Sequence, residues 1–201
     1  MKDYLPLLTA QILREAALAH VARFAATRQG LRQVLQRRVK RWGMRALRSG
    51  IEPDEITAQE QSLALEIEKI LDAMEELKVI DDESFARSRT RNLMRTGRSR
   101  RAVQAHLLTK GVDSDLAEET VKETLETLTE ATGEEAEFVA ALILARKRGL
   151  GAFQRVDREG KDPHKILAIF ARNGFSHEIA KRALAIEKDE AEDIIYRFRS
   201  L

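Results

Sequence analysis

Arginine is the residue type in this sequence whose spacing points to chemistry. Arg87, Arg91 and Arg95 recur every fourth residue, which at about 100° per residue brings three guanidinium groups into one stripe along a helix, with Phe85, Ala86 and Leu93 clustered on the other side. Arg98, Arg100 and Arg101 follow around Ser99, the expected N-cap of the next helix. Cations at a helix N-terminus are disfavoured by roughly 0.3–1 kcal/mol each at low salt, so helix stability alone does not place them there. A free helix N-terminus beside three arginines suits an anion, either a phosphate or a partner's carboxylate. Lys110 and the run Arg146, Lys147 and Arg148 complete the candidate partner- or DNA-binding set. The competing reading is that these cations pair with acidic helices of the same chain, at residues 60–83 and 113–137; such surface pairs contribute only about 0–1 kcal/mol each. Few aromatic residues interleave with the basic ones, so base stacking on single strands is not the expected mode. Trp42, beside Val39, reads as a packing anchor.

Enzyme signatures are absent from the sequence. His20, His106, His164 and His177 are scattered, and His177-Glu178 is followed by Lys181 where a zinc-binding helix needs a second histidine. There is no glycine-rich phosphate loop, no Gly-x-Ser-x-Gly elbow and no cysteine to act as nucleophile or thiolate ligand. The expectation is a protein that is not an enzyme and carries no cofactor or metal. No apolar run approaches the roughly 20 residues needed to span a bilayer. The N-terminal stretch from Tyr4 to Phe24 is interrupted by Gln11, Arg14, Glu15 and Arg23, unlike a signal peptide. A soluble cytoplasmic monomer without membrane contact is expected.

The elements that position the arginines are helices. Of the 201 residues, 43% are hydrophobic and only 5% aromatic, with 3 Pro and 10 Gly, a composition with few helix breakers. The net charge of +2 conceals blocks of alternating sign. Residues 14–48 carry +9, 52–83 carry −10, 87–110 carry +8, 113–137 carry −9 and 146–165 carry +4. Leu63, Ile67, Ile70, Leu71, Met74 and Leu77 recur at helical spacing, and Thr57 with Glu60 reads as a capping box opening a helix over 57–80. Further helices are expected over 82–96, stopping at Gly97, and over 100–110, stopping at Gly111. Another opens at Asp113 or Ser114 and buries Leu116, Ala117, Val121, Leu125 and Leu128. One more begins at Thr132 with Glu135 and runs through Phe138, Leu142 and Ala145 to Gly149.

An internal repeat relates these pieces. With Thr27, Ser99 and Asp162 taken as equivalent N-caps, an aliphatic residue follows four positions on (Leu31, Val103, Ile166) and an apolar one eight on (Leu35, Leu107, Phe170). The second and third copies then reach Gly111 and Gly174, and the match continues past them. Pro163 after Asp162 suits a first helical position. The unit is a helix, a capped helix and a helix. In the first copy Val39 stands at the glycine position and residues 44–56 read as an inserted polar connection. In the third, 149–160 reads as a loop. These two segments are the candidate hinges.

The string Leu-Lys-Val-Ile-Asp-Asp-Glu-Ser-Phe-Ala-Arg at 77–87, then Gly-Arg-Ser-Arg-Arg-Ala-Val at 97–103, Leu107 and Lys110-Gly111-Val112, resembles the central repeat of the regulatory protein RecX family, modulators of the RecA recombinase. Ala145-Arg146-Lys147, Lys165-Ile166, Phe170, Asn173-Gly174-Phe175-Ser176, Ile179 and Ala183-Leu184 are similar to that family's last repeat. Leu18, Ala22-Arg23 and Leu31 to Leu35 are similar, more loosely, to its first. The resemblance implies an all-α fold of three tandem three-helix repeats in an elongated, curved arrangement: 1–80 with the 44–56 connection, 81–131, and 132–201. It also implies binding along the groove of the RecA filament on DNA, with inhibition of strand exchange, ATP hydrolysis and coprotease activity, and so modulation of DNA repair and the SOS response. The arginines would face acidic filament surface or nearby DNA phosphates. The alternative from the residues themselves is a DNA-binding helical-repeat protein that contacts phosphates without reading sequence. A third is a helical scaffold for an unrelated charged partner.

Overall fold

In the computed structural model, residues 6–129, 133–154 and 162–200 are described, without the side chains of residues 128, 129, 199 and 200. These residues form ten α-helices and no strand. They are α1 Ala10–Val21, α2 Arg28–Arg48, α3 Pro53–Glu76, α4 Asp82–Arg95, α5 Arg100–Thr109, α6 Ser114–Thr129, α7 Gly133–Arg148, α8 Pro163–Arg172, α9 His177–Ala185 and α10 Lys188–Ser200, with a 3-10 turn at Gly151–Phe153. The all-helical repeat class expected from the sequence is the one observed. The chain gathers into two compact units, Met1–Phe85 with Lys110–Val112, and Ala86–Thr109 with Asp113–Leu201.

In the first unit α1 lies against α2 and α3, which are antiparallel partners along much of their length. Leu31, Leu35, Val39, Trp42 and Ala46 of α2 recur at helical spacing and are buried against Leu63, Ile67, Ile70, Leu71 and Met74 of α3. Trp42 is indeed an anchor: its indole N–H donates to the Pro6 carbonyl at 3.2 Å. Two expectations are corrected here. Residues 44–56 are not an inserted loop, because α2 continues through Arg48 and α3 opens at Pro53, leaving only 49–52 as connection. Gly43 and Ala46 hold the core face of α2 beyond Val39, so with no glycine stop the helix runs on. Nor does a capping box open α3 at Thr57. Pro53 supplies the first helical residue after Glu52, Asp54 and Glu55 suit the helix dipole, and the Thr57 hydroxyl donates back to the Pro53 carbonyl at 2.9 Å.

The second unit is built around α7, which packs against α6, α9 and α10. Ala136 and every residue from Phe138 to Ala145 are buried, the pattern of a helix covered on all sides. Thr132, the expected cap, and Leu128, expected in the core, lie outside the described residues and side chains, as do residues 155–160 of the expected 149–160 loop. α10 adds a helix beyond the three of the repeat unit, burying Ala191, Ile195 and Phe198.

All three repeat caps form. Thr27 accepts the Gly30 N–H, Ser99 the Ala102 N–H and Asp162 the His164 N–H. Within the first unit Thr27 also donates its hydroxyl to the Lys110 carbonyl at 2.5 Å, and the Arg28 N–H donates to Asp82 at 2.7 Å. Within the second, Ser99 donates to the Asn173 carbonyl at 2.7 Å and the Arg100 N–H donates to Glu137 at 2.8 Å. The two arrangements match residue for residue. In each, the accepting carbonyl precedes a glycine at positive φ, Gly111 at 80° and Gly174 at 85°. A Cβ on Gly111 would run into Gln29, and one on Gly174 into the Ser99 hydroxyl. Glycine is required twice over, by backbone conformation and by close approach.

Candidate interaction surface

Helix α4 buries Ala86, Thr90 and Met94 rather than the expected side of Phe85, Ala86 and Leu93, so each arginine of the expected stripe stands one residue beyond a buried position and not opposite the core. The helix therefore fixes Arg87, Arg91 and Arg95 along one edge of its core face. Arg91 and Arg95 are exposed. Arg87 is only partly so, and its guanidinium pairs with Glu123 of α6 at 3.6 Å. Arg89 turns inward instead and donates from Nε to Nε2 of His106 on α5 at 3.0 Å, tying the two helices together.

Arg98, Arg100 and Arg101 are exposed around the start of α5. The free N-terminus expected there is already taken. Glu137 of α7 accepts the Arg100 N–H, and Ser99 caps the next turn, so an intramolecular carboxylate fills the anion position. Burial pushes the Glu137 carboxyl up from its ordinary range, while the Arg100 N–H and guanidinium pull it partway back. Arg100 and Arg101 also line a cleft of about 520 Å³ whose other walls include Glu134, Glu137 and Glu178. That cleft is mixed in charge. Arg91, Arg95 and Arg98 have no carboxylate within 4 Å among the described residues.

The remaining expected site residues are dispersed. Lys110 is exposed at the end of the turn whose carbonyl receives Thr27, in the first unit. Arg146, Lys147 and Arg148 form the last turn of α7, where cations complement the helix dipole, with Arg146 partly buried and the other two exposed. Reasoning from spacing passed over Arg37, Arg41, Arg45 and Arg48 of α2. The signal was present, since they repeat at three- and four-residue intervals in a block whose one acid is Glu15.

The described residues contain no cluster of three or more His, Cys, Asp or Glu able to hold a metal ion, and no helix among them is long and apolar enough to cross a membrane. What they present is an all-helical repeat protein with arginine-rich helical edges. A sequence model of the second three-helix domain of RecX matches residues 81–121, the segment containing α4, α5 and the start of α6. The regulatory protein RecX of Myxococcus xanthus (strain DK1622) is 33% identical over 174 residues, 86% of this chain and 83% of that protein. The regulatory protein RecX of Agrobacterium fabrum (strain C58) is 39% identical over 119 residues, so the matched stretch spans 59% of each. The crystal structure of RecX from Lactobacillus salivarius shares the fold, with a TM-score of 0.56 at 21% identity over 91% of this chain and 96% of that one. The chain belongs to the RecX family of regulatory proteins.

Proposed function

We infer that this chain regulates the RecA recombinase by binding its filament on DNA and restraining strand exchange, ATP hydrolysis and coprotease activity, and thereby modulates DNA repair and the SOS response. The observation that supports this reading is the edge of α4 continuing into the turn before α5. There Arg91, Arg95 and Arg98 stand in solvent without a carboxylate of the described chain, inside the segment that matches the second RecX domain. Guanidinium groups held on a helix can meet carboxylates of a protein surface bidentately. A partner laid against that edge would gain charge-assisted hydrogen bonds that the folded chain leaves unmade. Filament subunits bridged in this way would lose the relative movements coupled to nucleotide turnover.

The test is RecA ATP hydrolysis on single-stranded DNA, with filament pull-down alongside. The wild-type chain is expected to inhibit hydrolysis and to sediment with filaments. Arg91→Glu with Arg95→Glu should raise the concentration for half-inhibition about tenfold or more, equivalent to roughly 1.4 kcal/mol, with helicity unchanged. Both side chains are exposed, so the fold tolerates the change. A wild-type chain in excess that neither slows hydrolysis nor binds filaments overturns the reading. Binding to free DNA that falls steeply with salt, without effect on RecA, would favour phosphate contacts instead.

A further inference from the structure

Helix α2 changes character along its length. Its first turns are neutralised: Arg28 pairs with Glu68, Asp72 and Glu75 of α3 at 2.6–3.2 Å, and Arg32 with Glu68 at 2.7 Å. Beyond them Arg37, Arg41, Arg45 and Arg48 are exposed, with no carboxylate within 4 Å among the described residues. On a regular helix these four fall within about 80° of one another, at steps of about 5–6 Å along the axis. Beside this stripe, on the same helix, Met44 and Leu47 are 49% and 57% exposed. They form the rim of an open cleft of about 560 Å³ between α2 and α3, with Val39, Gly43, Ile56 and Ile67 among its other lining residues. Gly43 lies inside the helix, and the Glu60 carboxylate rests in the space a side chain there would take.

We propose that this cleft is a docking site for an acidic segment of a partner protein, one that forms a helix with apolar anchors along one side. Two separate properties of the surface select that occupant. The apolar rim and floor call for aliphatic or aromatic anchors, since Met44 and Leu47 otherwise stay in water. The uncompensated stripe calls for carboxylates immediately beside those anchors. A nucleic-acid strand satisfies the arginines but leaves the apolar rim uncovered. A neutral apolar peptide does the reverse. The α3 wall of the cleft contributes Glu60 and no cation, so the acids of the occupant face α2. None of these residues belongs to the α4–α5 edge, and the proposal stands independently of the RecA reading.

The experiment uses the full chain and a fluorescein-labelled helical peptide of about sixteen residues, leucines at i, i+3, i+4 and i+7 spacing and glutamate elsewhere. Its comparators are the same peptide with glutamine for glutamate and an oligothymidylate of similar length. The acidic peptide should bind saturably. Arg37→Glu with Arg41→Glu, and separately Met44→Ser with Leu47→Ser, should each weaken binding about tenfold or more. All four side chains are exposed, and circular dichroism checks that helicity is kept; Leu47→Gln alone gives a milder apolar variant. Absence of saturable binding overturns the proposal. So does binding that needs the arginines but ignores Met44 and Leu47, or an oligothymidylate that binds more tightly than the peptide.

Discussion

At the scale of single residues, carboxylates behave in opposite ways according to whether burial or an arginine partner dominates. Glu137 is raised chiefly by burial, and Asp82 likewise, despite accepting the Arg28 N–H. Glu68 is lowered, first by its hydrogen bond from Arg32, against the opposing effect of burial. A raised carboxyl contributes stability that is fully present below its unfolded pKa and lost as pH rises through the folded value. A lowered one contributes stability above the unfolded pKa that is lost on acidification. Glu137→Gln should therefore be neutral or stabilising at pH 7, because the amide oxygen still accepts the Arg100 N–H without the cost of a desolvated charge. Glu137→Ala should lose about 1–2 kcal/mol, since that N–H then has no acceptor. Urea unfolding of both variants at pH 5 and pH 7 checks this, with the wild type gaining relative to Glu137→Gln at the lower pH.

At the scale of elements, the repeat works through its caps. Each of Thr27 and Ser99 both accepts from its own helix and donates to the carbonyl before a glycine. Asp162 caps α8 but has no hydroxyl to give when ionised, and Pro163 has no N–H, so the third copy lacks both donors of the arrangement. Gly174→Ala should cost about 1–3 kcal/mol, from strain at positive φ together with displacement of Ser99. Ser99→Ala in that background should cost less than it does alone, because the two changes damage one contact; a double-mutant cycle by thermal unfolding reads the coupling. The repeat caps, the glycine stops and the core positions Val103 and Leu107 of α5 were legible, because each is set by local conformation and helical period. The starts and ends of α2 and α3 were not. A missing glycine looks like an insertion in sequence, whereas in the fold Trp42, Gly43 and Ala46 simply extend the buried face.

At the scale of the whole chain, the alternating charge blocks are partly spent inside the molecule. The +9 block meets the −10 block through Arg28 and Arg32 on Glu68, Asp72 and Glu75, and the +8 block meets the −9 block through Arg87 on Glu123. These pairs are solvent-accessible and share partners, so their contribution is modest and salt-dependent. Arg32→Ala should lower stability by about 0.5–1 kcal/mol at low salt and by less in 0.5 M NaCl, measured by urea unfolding. The sequence by itself determined the helical class, the repeated caps and the arginine stripes, because period, composition and turn chemistry act over a few residues. Tertiary structure alone decided which cations remain available. Whether an arginine on a helical edge meets a carboxylate depends on the element packed beside it, and that neighbour also delivers Glu137 to the helix end the arginines surround.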